Sequence, residues 1–147
     1  MRSNAGRFAA IALAGLFIMT WKARVDEDVV IAQTRKPVMV TRIYTGPDGQ
    51  SRSEEVELKL TGGVSELFSA TGVQFSSRPA APASDWHTGP MRQYVITLSG
   101  RAELEVANGQ KVPIEAGNIN LIEDTTGKGH ITHNIADRIV VTIPLAN

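Results

Sequence analysis

The alternation of apolar and polar positions becomes regular only from Val38 onward, and there it has the period of two that a strand requires. "VMVTRIY" is rich in β-branched and aromatic residues and runs into the turn Gly46 to Gly49, "GPDG". "EEVELKL" alternates cleanly and stops at Gly62-Gly63, and "SELFSATGVQFSS" reads as one or two short strands broken at Gly72. "RPAAPASDWHTGP" holds three prolines in a short span and reads as an irregular connector. "RQYVITLSG" predicts a strand ending at Gly100, and "AELEVANGQKVPI" a hairpin turning at Asn108-Gly109, where both residues tolerate positive φ. "GNINLIE" predicts a further strand, and "HITHNI" with "DRIVVTIPL" a last pair joined near Ala136 and Asp137. No stretch after residue 35 sustains a helical period, although "VSELFSA" has the length of one turn. Many short strands at close spacing predict an all-β sandwich or barrel.

The first 35 residues do not share this pattern. Arg2 and Arg7 precede the apolar run Phe8 to Met19, which is shorter than the ~20 residues a membrane-spanning helix needs. A basic start followed by such a run resembles a secretory signal, with "VIA" at Val30 to Ala32 as a small-residue cleavage pattern. Residues 1–35 are therefore expected to be a signal peptide or membrane anchor plus linker, and residues 36–147 the folded domain. The expected location is exported or membrane-anchored, periplasmic or extracellular; the alternative is a cytoplasmic domain behind a misplaced start. Any membrane contact is expected only through this segment.

Composition narrows the chemistry. The 147 residues carry 15 basic and 15 acidic side chains, so no charge excess suggests nucleic acid as a partner. There is no cysteine, which excludes disulfides, thiolate zinc sites and cysteine nucleophiles. Two of the three histidines fall in "EDTTGKGHITHN", beside a Gly-Lys-Gly turn. A phosphate loop does not fit there: Ile122 stands where its first glycine belongs, Gly129 replaces the Ser/Thr, and strand-like residues follow. Alternation puts His130, Thr132 and Asn134 on one face and Ile131, His133 and Ile135 on the other. His130 and His133 therefore do not converge on one ion. Glu123 and Asp124 are expected to cap the turn. Arg92 is expected to be a solvated or inter-subunit charge. Met91, Val95 and Thr97 share the face of Gln93.

From Asp85 to Asn134 the chain resembles the paired motifs of the cupin superfamily, small jelly-roll barrels. Against the first motif, G-x5-H-x-H-x3,4-E-x6-G, His87 stands at the first histidine, Gln93 at the glutamate and Gly100 at the closing glycine; Gly89 replaces the second histidine and Ala81 the opening glycine. Against the second, G-x5-P-x-G-x2-H-x3-N, Gly127, His130 and Asn134 match, Thr125 replaces the proline, and Gly117 lies two residues early. The resemblance implies a cupin-like jelly-roll barrel of short antiparallel strands whose lumen holds the functional residues. His87 and His130 are the expected catalytic residues, and Gln93 and Thr132 line the lumen with them; Met91, on the Gln93 face, and Trp86, beside His87, are further expected ligand-binding residues. Metal-binding relatives use two histidines and a glutamate from the first motif and a histidine from the second. The degenerate counterpart here is His87, Gln93 and His130, for zinc, iron, manganese, nickel or copper, with a neutral amide where the acid belongs.

Three functions remain open from the residues. The first is binding of a small organic ligand, with the two imidazoles as proton donor and acceptor. The second is a metal-dependent enzyme of the dioxygenase or isomerase type. The third is a non-catalytic homodimeric interaction protein, for which "VVTIPL" is expected to supply an edge strand.

Overall fold

The computed structural model describes residues 36–146, and the signal or anchor reading of the first 35 residues lies outside the described residues. Nine strands follow one another without a helix among the described residues: β1 (Met39–Thr45), β2 (Ser51–Glu57), β3 (Gln74–Arg78), β4 (Gln93–Ser99), β5 (Arg101–Glu105), β6 (Lys111–Glu115), β7 (Ile119–Glu123), β8 (Ile131–Asn134) and β9 (Arg138–Pro144). They form two sheets, one of six strands in the order β2-β1-β7-β4-β9-β3 and one of three in the order β6-β5-β8. The architecture is all-β and jelly-roll-like. The two sheets face each other without closing into the barrel that was expected. One pair, β1 with β7, runs parallel, so the ladder is not wholly antiparallel either.

Most of the predicted strands form, and the departures have physical reasons. β2 begins at Ser51, before "EEVELKL", because the Gly46–Gly49 turn starts the hairpin and pairing then zips from Thr45↔Ser51 to Met39↔Glu57. Residues 64–73 form no extended strand. Ser69 to Thr71 pair with Pro144 to Ala146 at and beyond the end of β9, and Phe68 meets the Tyr94 ring edge-on at 5.4 Å between centroids. Tyr94 belongs to a second buried cluster with Val40, Leu121 and Leu145, against which Leu58, Ile119 and Ile143 pack. The predicted β8–β9 pair is not a pair. β8 joins β5 in the small sheet, and β9 runs between β4 and β3 in the large one. The short link at Ala136 and Asp137 thus crosses from one sheet to the other. β9 is interior, so the sheet edge lies at β3 and not at "VVTIPL".

Between the sheets sits a core of Ile43, Val95, Ala102, Leu104, Val106, Val112, Ile114, Ile122 and Val140. Each fully buried aliphatic side chain in such a core contributes roughly 1.5–3 kcal/mol. Inward positions toward one side of this core are polar, and there the sandwich opens into a cavity.

Candidate functional site

The cavity has a volume of about 310 Å³, within the usual range for small-molecule sites. Val95, Leu104, Ile114 and Ile122 supply its apolar wall, and His87, His130, Gln93, Asn120, Thr132, Thr142, Arg78 and Arg138 its polar groups. Alternation explains the set: Gln93 and Val95 on β4, Asn120 and Ile122 on β7, and Thr142 and Arg138 on β9 are inward positions of their strands.

The proline-rich connector brings His87 to this cavity. It runs antiparallel along the free edge of β8. Ala81 N donates to Asn134 O, Ser84 N to Thr132 O, and His87 N to His130 O at 3.0 Å. His130 N returns a bond to His87 O at 2.9 Å, closing a two-residue bridge. The connector advances three residues for every two on β8, so it is not a regular strand, and Pro79 and Pro82 fall where no donor is needed. Along the way it covers an edge that would otherwise present unpaired backbone groups. Gly129 makes the approach feasible. Its φ is +72°, and a Cβ there would collide with the carbonyl of His87. Lys128 braces the same turn, its ammonium 3.8 Å above the Trp86 ring.

The two imidazoles lie 4.6 Å apart between centroids, at an interplanar angle of 58°. His130 is buried, and its Nδ1 lies 2.6 Å from Oδ2 of Asp124, which is wholly buried. Asp124 therefore does not cap the turn as expected; its side chain points inward and orients an imidazole. His87 is exposed at the cavity mouth, with Nδ1 2.9 Å from Asp85 O and 3.2 Å from Ser84 Oγ. A carbonyl can only accept, so Nδ1 of His87 carries the hydrogen. Each neutral ring thereby keeps a lone pair on Nε2.

Neighbouring charges hold the frame. Glu123 does not serve the turn either: it accepts from Arg42 on β1 and from Arg92 beside β4. Desolvation pushes its carboxyl up, and the two guanidiniums outweigh this and hold it below the ordinary carboxylate value. Arg92 is thus spent on an internal ion pair. His133 is exposed on the opposite face of β8, as alternation requires.

Among the other predicted residues, Gln93 and Thr132 line the cavity with the two histidines. Met91 does not: it is 47% exposed and outside the cavity wall. The bulk solvent beside Pro90 takes it because the strand pairing starts only at Gln93. Trp86 likewise stays out of the wall and holds Lys128 instead. Thr97, on the Gln93 face, is fully buried beneath the cavity without lining it. Alternation along strands did not reveal Asp124, Arg78 and Arg138. The findable signal was an arginine on the inward parity of β9, between Val140 and the sheet-crossing link.

The divalent metal that the resemblance implies would have to be held by the side chains at this cavity. Two imidazoles and one amide are present, and no cluster of three or more His, Cys, Asp or Glu side chains occurs among the described residues. Gly89, at the missing histidine position, has no room for a ligand, since a Cβ would lie 2.6 Å from Ile122 Cγ2. Asp124 holds His130 through Oδ2 and is not part of the cavity wall. Two imidazoles and one neutral amide supply no negative charge to offset a dication, so the donor set does not fit a resident metal.

The bridge yields one clear expectation. Gly129→Ala forces an L-residue into positive φ against a carbonyl, so the domain loses at least ~1 kcal/mol. A thermal melt reads the loss, and amide hydrogen exchange at His87 and His130 should rise selectively. An alanine variant with wild-type stability and protection would contradict the bridge.

No protein-family model matches the chain, and no curated protein matches it. Solved structures of similar shape include a Neisseria meningitidis protein at 20% identity, covering 55% of this chain and 81% of its own, with a TM-score of 0.42. A conserved Streptococcus pyogenes protein of unknown function matches at 13% identity over 77% and 78%, TM-score 0.43. A Salmonella typhimurium protein described as ethanolamine utilization protein Q matches at 15% identity over 77% and 100%, TM-score 0.41. At these scores the likeness adds nothing about activity, and the fold statement rests on the strand order itself.

Proposed function

We propose that this chain is a cupin-like domain that binds a small organic molecule in its cavity, with His130 and His87 exchanging a proton with the ligand. One observation carries the reading: both rings engage Nδ1 away from the cavity, which leaves two Nε2 lone pairs on adjacent imidazoles. His130 is the better oriented of the two, because the Asp124 carboxylate fixes its tautomer and turns Nε2 away from the carboxylate. His87, at the mouth, is placed to pass that proton to solvent. Gln93 offers an amide donor and acceptor, and Thr132 a hydroxyl, for orienting a polar ligand. The apolar wall keeps competing water from these groups.

A second reading has its own support. On the outer face of the large sheet Phe75, Leu98 and Ile139 are 69%, 50% and 47% exposed. They share the side of β3, β4 and β9 that faces away from the core, and β3 is an open edge. Apolar exposure on a sheet edge favours a homodimer built on this face.

Both readings are testable. A compound panel followed by melting temperature should find stabilising ligands, and His130→Ala should weaken their binding by about tenfold or more, the worth of one hydrogen bond to a charged group. The same purified protein should carry no stoichiometric metal by elemental analysis. Unchanged ligand responses in both His130→Ala and His87→Ala would remove the acid–base reading, and a metal lost in His130→Ala would replace it. For the second reading, Phe75→Glu should convert a dimer to a monomer in sedimentation; a wild-type monomer at all concentrations would end it.

A further inference from the structure

Two arginines line the cavity without a counter-charge. Arg138 on β9 is 2% exposed, and its Nε has no hydrogen-bond partner among the described residues. Arg78 on β3, half-buried, stands directly opposite it in the antiparallel register. Neither forms an ion pair among the described residues. Asp137, next to Arg138 in the chain, accepts through Oδ1 from the amide of Ala80, while Asp124, with Oδ2 on His130 and Oδ1 without a partner, lies at the end of the imidazole pair. Burial, reinforced by Arg78, pushes the Arg138 guanidinium down to about 10, and it is still charged at neutral pH.

This arrangement is costly for a fold. Like charges directly opposite on adjacent strands repel, and a buried charge without a partner destabilises the fold. The next inward rows of β9 hold Val140 and Thr142, side chains that a merely structural position would accept. The cavity also holds Asn120, whose amide oxygen and nitrogen are both buried without a partner.

The ladder sets the direction. Pro144 stands opposite Gln93, and Arg138 lies three inward rows further along β9. The guanidiniums therefore reach the cavity from one end of the sheet, and Gln93 and the imidazole pair from the other. We propose that Arg78 and Arg138 form an oxyanion-binding end of the cavity, and that the ligand is a small organic acid with its carboxylate or phosphate held there. Its body lies along Val95, Leu104, Ile114 and Ile122, with Asn120 as a hydrogen-bonding partner, and its far end meets His130 and His87. Two guanidiniums on one oxyanion give several charge-assisted hydrogen bonds. This inference rests on the ligand-binding reading above and names its substrate class.

The test uses the full chain at fixed ionic strength and neutral pH. Acetate, benzoate, succinate and phenyl phosphate are titrated against their uncharged counterparts acetamide, benzamide, succinamide and phenol. Calorimetry and melting temperature are the readouts, and the carboxylates and the phosphate ester separate the two oxyanion sources. The acids should bind at least about tenfold more tightly than their counterparts. Arg138→Met and Arg78→Met should each erase that preference, and ligand-free Arg138→Met should melt above wild type, because an unpaired buried charge is replaced by a side chain of similar length. Equal binding of acids and uncharged compounds, or a preference kept in both arginine variants, overturns the anion assignment and leaves the cavity reading standing. A fall in the melting temperature of ligand-free Arg138→Met, with the preference kept in Arg78→Met, also overturns it. No binding by any compound overturns both readings.

Discussion

The pair of backbone hydrogen bonds between His87 and His130 is the constraint on which the site depends. It ties an irregular, proline-bearing connector to the free edge of β8, and only a glycine at position 129 lets the two chains come that close. Without it His87 would belong to a surface loop, and His130 would face an open edge. With it, the connector caps the free edge of the three-stranded sheet, and one side of the sandwich becomes a walled cavity. The Lys128–Trp86 contact and the Thr45 hydroxyl bonded to Thr126 O secure the turn from both sides.

Charge is distributed unevenly over this cavity. Near the bridge a buried carboxylate is matched to an imidazole. At the other end two guanidiniums are matched to nothing among the described residues. The first arrangement is stable by itself, because the hydrogen bond offsets much of the desolvation. The second is a standing cost, which a core of this size tolerates because many aliphatic residues back it. Buried polar groups left without partners concentrate where a fold serves binding more than stability. In the proposed reading, the histidine pair and the cationic end are the two halves of one recognition surface.

Much of this was legible from residue order. Period-two alternation located β4, β5, β6, β7 and β9 closely, and Asn108-Gly109 marked the β5–β6 hairpin where it stands. Motif spacing brought His87, Gln93 and His130 to one cavity, and alternation turned His133 away from it. What failed was non-local. The assignment of β8 and β9 to different sheets depends on which partner strand each finds, and neither sequence carries that preference. Residues 64–73 look strand-like because Leu67 and Phe68 are apolar, yet Leu67 is 99% exposed and Phe68 packs edge-on against Tyr94. Asp124 and Glu123 are neighbours with opposite fates, one inward to an imidazole and one to two arginines, because alternation continues one residue past the end of β7. Arginine is ordinarily a surface residue, so the inward parity of Arg138 is the one sequence signal here, and the register that sets Arg78 opposite it belongs to the fold.

The central claim is that His87 and His130 meet, each with Nδ1 held away from the cavity. Long-range proton–nitrogen correlation NMR on nitrogen-15-labelled protein, at a pH where the imidazoles are neutral, reads each ring's tautomer directly. The account predicts that His87 and His130 both carry the hydrogen on Nδ1, with cross-relaxation between their ring protons, while exposed His133 averages between forms. Two Nε2–H tautomers, or the absence of any contact between the two rings, would contradict it.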